Sequence, residues 1–146
     1  MTIKIIFLIV FWILLAIIAY RDGKTRRISN GLVLMVAVVT IFSIPFIPEP
    51  GLAQRVIGAL IVSIPLIVLT LAVPRSFGGG DIKLAAAMGL FLGWEGMLCA
   101  FVIAVLSAGV YCAVMLARRR MQIRSVFAFG PFLCLGGAVA AGLIFV

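Results

Sequence analysis

Histidine is missing from this chain of 146 residues, and acids are scarce: the only four are Asp22, Glu49, Asp81 and Glu95. Without an imidazole, serine and cysteine nucleophiles lack their usual activating base. The three cysteines, Cys99, Cys112 and Cys134, stand apart inside apolar runs and form no CxxC pair. A zinc site is therefore unsupported, and no metal or other cofactor is expected. Charge is also sparse, at 11% of residues against 66% apolar, with a mean hydropathy of +1.39. Soluble domains are nearer half apolar and a quarter charged. One globular core cannot bury this much apolar surface, so the solvent must be lipid. That excludes a soluble enzyme, a disordered chain and a disulfide-stapled secreted module. The apolar runs are continuous rather than alternating, which argues against a β-barrel.

What remains is an all-α, polytopic membrane protein. Apolar runs predict helices over 2–20, 31–46, 52–73 and 126–146, and a further apolar stretch covers 84–117. A removable signal peptide over 2–20 would have Lys4 as its only leading charge, and four basic residues follow it, which fits a retained span. The formal net charge of +8 reads as topology signal on short loops, not as a nucleic-acid surface. Arg21, Lys24, Arg26 and Arg27 place the first loop in the cytoplasm, and Arg118, Arg119, Arg120 and Arg124 place a later one on the same side. The stretch between them must then cross an even number of times. As one helix, 84–117 would be about 51 Å long, against a hydrocarbon core of about 30 Å. A turn at Gly93-Trp94-Glu95-Gly96 divides it. Six transmembrane helices result, with a short fourth helix over 82–93 rising about 18 Å. Asp81 is then expected below the cytoplasmic headgroups. Ten basic residues fall on the cytoplasmic side, and only Lys4 and Arg55 outside.

The two aspartates fall at helix ends on one face. Charged groups near lipid are costly and mark function by default, although neighbouring basic residues also offer Asp22 a purely electrostatic reason to be there. Asp81 follows Gly78, Gly79 and Gly80, and three glycines beside a helix cost backbone entropy. They make sense where backbone approaches another chain closely. They do not form a P-loop, which requires GxxxxGK followed by Ser or Thr. Two facing carboxylates suit aspartic-type hydrolysis, one taking a proton from water while the other, protonated, polarises the peptide carbonyl.

Gly78-Gly79-Gly80-Asp81-Ile82-Lys83 resembles the GxGDxK motif of type IV prepilin peptidases. Asp22-Gly23-Lys24-Thr25-Arg26-Arg27-Ile28-Ser29-Asn30 resembles their first cytoplasmic loop, with Ser29 where proline is usual. Phe129-Gly130-Pro131-Phe132 resembles a third signature, with Ala128 in place of its first proline. The resemblance implies one integral-membrane peptidase domain over 1–146 and Asp22 and Asp81 as the catalytic pair. It also implies that Gly78, Gly79 and Gly80 contact the substrate strand. Lys24 and Lys83 are the candidates to meet an acid near the start of the mature pilin. The implied substrate is a prepilin with a basic leader, cut at the cytoplasmic face of the inner (plasma) membrane, and the pilus assembly machinery is only an indirect partner. The four-cysteine domain associated with N-methylation is absent, so the chain resembles the short, peptidase-only branch serving Flp pili. A proton-coupled carrier and a non-catalytic subunit of a pilus or secretion assembly are the rival readings. Carriers usually hold their sites at the midplane within inverted repeats, and no such repeat is visible here.

Overall fold

The computed structural model describes residues 2–73, 77–119 and 128–146. They form helices α1 (Thr2–Thr25), α2 (Asn30–Ser43), α3 (Leu52–Ala72), α4 (Gly79–Ala117) and α5 (Gly130–Phe145), with no strand among the described residues. Three of these, α1, α3 and α4, are long and apolar enough to cross a membrane, while α2 and α5 are shorter apolar helices. Apolar side chains cover the outside: Ile6, Leu34, Phe42, Leu71, Val110 and Leu143 are each more than half exposed. A surface this apolar fits a lipid solvent.

The helix ends depart from those predicted by hydropathy. Residues 21–25 are helical, so Asp22 sits in the last turn of α1 instead of the loop after it. Loss of apolarity marks where a helix leaves hydrocarbon, not where its hydrogen-bond ladder ends. The ladder ends where Arg26 donates its N–H to the Asp22 carbonyl at 2.8 Å and takes φ 53°, a left-handed cap position that glycine usually fills. Thr25 closes the turn, its hydroxyl donating to the carbonyls of Arg21 (2.9 Å) and Arg27 (3.1 Å). At the other helix starts, α4 begins at Gly79 with Gly78 as its N-cap, ahead of the expected residue 82. The fifth helix begins at Gly130, with Pro131 in its first turn, where a missing N–H costs nothing. The predicted start at 126, together with Arg120 and Arg124 of the basic run, lies outside the described residues.

The long fourth element breaks at Gly93, where φ is 73° and ψ −178°. Of the four residues expected to turn, Gly93 alone leaves helical geometry. A Cβ on Gly136 would strike Ala100 and Ala104, and one on its neighbour Gly137 would strike Met88. In a straight helix Met88 and Ala104 would lie about 24 Å apart. The break folds the two halves of α4 toward each other, and both pack on α5.

Helix α4 also packs on α2 and α3, and α1 packs on α2 and α5. Glycines permit the closest contact: a Cβ on Gly58 would come within 2.7 Å of the Gly89 and Gly93 backbone. Gly89-x-x-x-Gly93 is thus a packing motif, its small residues letting the two backbones approach. Phe11 stacks on Phe91 with centroids 4.2 Å apart, and Trp12 donates to the Ala138 carbonyl at 3.1 Å. Arg55, read from sequence as an outer topology charge, is 1% exposed. Its guanidinium donates to the carbonyls of Pro50 (2.8 Å), Leu90 (2.9 Å) and Ile47 (2.8 Å). It thereby ties the α2–α3 connection to α4 beside the Gly93 break.

Candidate active site

Two helix starts and one helix end meet at the pole opposite Arg55. The last turn of α1 carries Asp22, and the first turn of α4 carries Asp81. Both are buried, at 4% and 8% exposure. They share a cavity of about 250 Å³, lined also by Arg26, Arg27, Ile28, Gly78, Gly79 and Gly80. The two carboxylates lie close enough to act on each other electrostatically. The remaining acids lie elsewhere: Glu49 and Glu95 line a separate cavity with Lys4.

Backbone positions each carboxylate. The Gly78 N–H faces the Asp81 carboxylate. An acid three residues into a helix that reaches back to its N-cap N–H is half of a capping box. The Gly130 N–H, at the start of α5, faces the Asp22 carboxylate. Free N–H groups at helix starts favour such anions. These contacts leave Asp22 Oδ2 and Asp81 Oδ1 buried without a hydrogen-bond partner among the described residues. Such atoms are costly in a purely structural site. Each has the capacity to accept a hydrogen bond from a group entering the cavity.

The glycines divide the work. A Cβ on Gly79 would meet nothing within 4 Å, so this residue is open to the cavity. One on Gly80 would come within 2.8 Å of Ile28, and one on Gly130 within 2.9 Å of the Asp22 carboxyl carbon. Ile28 also reaches Gly130, so its side chain sits between the starts of α4 and α5. Phe77 and Phe129, each preceding one of the glycines that face a carboxylate, meet edge to face at 5.3 Å.

Of the residues singled out from sequence, Asp22, Asp81, Gly78, Gly79 and Gly80 come together here. Lys24 and Lys83 do not line the cavity. The Lys24 ammonium sits 4.6 Å from the Tyr20 ring centroid, and Lys83 donates to Asn30 Oδ1 at 3.3 Å. Sequence reasoning passed over Gly130, Ile28 and the paired phenylalanines as site residues. The Gly130-Pro131 step was the available signal, as a helix start fixed tightly enough to aim an N–H.

Fold and cavity define an all-helical membrane protein with two carboxylates gathered at helix ends. The chain belongs to the Type IV leader peptidase family, whose profile matches residues 9–113. It is 30% identical over 139 residues to the prepilin leader peptidase/N-methyltransferase of Bacillus subtilis, covering 90% of this chain and 53% of that protein. The protein of the same name from Burkholderia pseudomallei is 43% identical over 64 residues, covering 44% of this chain and 21% of that one. The one from Dickeya chrysanthemi is 33% identical over 100 residues, covering 64% and 34%. The matched regions thus span between about a fifth and about half of these relatives. No solved structure matches the chain significantly.

Proposed function

We propose that the chain is an aspartic endopeptidase that removes the basic leader from Flp-type prepilins at the cytoplasmic face of the inner membrane. The observation that carries this reading is the cavity lined by both Asp22 and Asp81, each with a buried carboxylate oxygen unpartnered among the described residues. One carboxyl takes a proton from the attacking water while the other holds a proton on the scissile carbonyl oxygen. The carboxyl that took the water proton then gives it to the leaving amine as the C–N bond breaks. The other recovers a proton from a hydroxyl of the tetrahedral intermediate, so the pair returns to its starting state. The open face of Gly79 gives the scissile strand a place to lie beside the pair. Family membership supplies the substrate class, since the relatives are named as prepilin leader peptidases.

In this reading the chain crosses the membrane six times, with the break at Gly93 as the outer turn of a short fourth helix. Asp81 lies about 18 Å along its helix from that turn, so the site sits beneath the cytoplasmic headgroups. An apolar substrate helix can then stay in lipid while its polar end enters the cavity. The test is incubation of the purified chain with a prepilin in detergent, without nucleotide or ion gradient. Cleavage supports the peptidase, whereas an intact prepilin favours the carrier or the assembly subunit.

A further inference from the structure

We propose that Arg26 is a specificity-determining residue whose guanidinium binds a substrate carboxylate close to the scissile bond; this rests on the peptidase reading above. Three observations meet at this residue. It lines the cavity that holds Asp22 and Asp81. Its backbone is left-handed, at φ 53°, a conformation disfavoured for a residue with a Cβ and natural for glycine. Its exposed side chain makes no ion pair or hydrogen bond among the described residues, with either aspartate or with any other group.

A basic residue after a helix has an ordinary explanation in the helix dipole. Arg119 shows the same left-handed geometry at the end of α4, so capping alone does not make a site. Arg26 differs in standing on the wall of the cavity. It follows Asp22 by one helical turn, about 6 Å. A chain that fills this cavity comes within reach of its exposed side chain. A planar guanidinium with all its donors free matches a carboxylate in a two-point contact. It would repel a cationic segment, so it selects against a basic stretch on that side of the bond. Allowing for the side chain, the partner acid lies within about 10 Å of the bond. That is about three residues of extended chain or about six of helix.

The test uses the whole chain in detergent and a prepilin substrate with every carboxylate removed within six residues of the cut. Versions with a single glutamate restored at each of those positions complete the set. The expectation is that one glutamate, or two adjacent ones, raises kcat/KM by about tenfold, as a charge-assisted hydrogen bond allows. Arg26→Gly and Arg26→Asn suit the left-handed backbone and should keep or raise the unfolding midpoint. Both should cleave the whole set at one common rate, with no preference for any restored glutamate. Arg26→Lys should keep part of the preference.

Failure has separate forms. If no restored glutamate speeds the parent, or if Arg26→Gly keeps the preference, the proposal is overturned while the peptidase reading stands. If Arg26→Gly slows all substrates alike and the loss depends on anionic lipid in vesicles, the guanidinium binds headgroup phosphate instead. If the parent cleaves nothing, the peptidase reading falls and takes this proposal with it.

Discussion

Replacing Gly130 by alanine puts a methyl group where the Asp22 carboxylate now lies. The new Cβ would sit 2.9 Å from Asp22 Cγ and 3.2 Å from Ile28 Cδ1. Carbon atoms rest at about 3.5–4.0 Å, so the carboxyl must withdraw by about 0.6–1 Å. A misplacement of about 1 Å in reacting groups can cost about 100-fold in rate. The fold has less to lose. Alanine gains about 0.5–1 kcal/mol over glycine in a helix, and overpacking costs about 1–3 kcal/mol. The net loss is therefore no more than about 2.5 kcal/mol. Gly130→Ala should thus lower prepilin kcat/KM by about two orders of magnitude while the protein stays folded. Cleavage in detergent and thermal unfolding, measured on the same preparation, check both halves. Gly142→Ala on the same helix is the control, since its Cβ meets Trp12 at an ordinary 3.5 Å. If Gly130→Ala cleaves within about threefold of the parent, α5 does not position Asp22 and the site geometry is misassigned.

The glycine run separates packing from substrate approach. Gly79→Val should fold normally yet lose most cleavage, because its side chain fills open cavity, whereas Gly80→Val should lower the unfolding midpoint by striking Ile28. Equal midpoints for the two would contradict that division. Arg55→Met leaves one buried and two part-buried carbonyls without their donor, at about 1–3 kcal/mol for a fully buried group. Denaturant unfolding should therefore show a loss of at least about 1 kcal/mol. For topology, a cysteine at Thr25 should label from the cytoplasm and one at Glu95 from outside, in a background without native cysteines. Labelling of both from one side would remove the short fourth helix.

Composition made the membrane class and the helical architecture legible, because 66% apolar residues in long continuous runs leave little alternative to lipid-facing helices. The aspartate pair was legible for a chemical reason: two acids beside basic or glycine-rich segments stand out in a chain with only four. The ends of α1 and α4 were not. Hydropathy falls at Tyr20 while the helix continues to Thr25, since backbone hydrogen bonds persist in water beyond the apolar stretch. That extension matters, because it puts Asp22 in a helical turn and Arg26 at its cap. Gly130 lies 108 residues from Asp22, and only the packing of α5 brings them into contact. The burial of Arg55 was not legible either. A charge count treats every cation as solvated, but a guanidinium can be buried where three carbonyls converge on it.

The central claim is that Asp22 and Asp81 act as one catalytic pair, and their single carboxylate-to-amide replacements test it most directly. Asp22→Asn and Asp81→Asn should be compared with the parent in prepilin cleavage at equal folded amounts in detergent. Each should lose at least about 100-fold in rate, and the double variant should be little worse than either alone, since residues that work as a unit are not additive. Substantial cleavage by either single variant, with folding intact, would contradict the account.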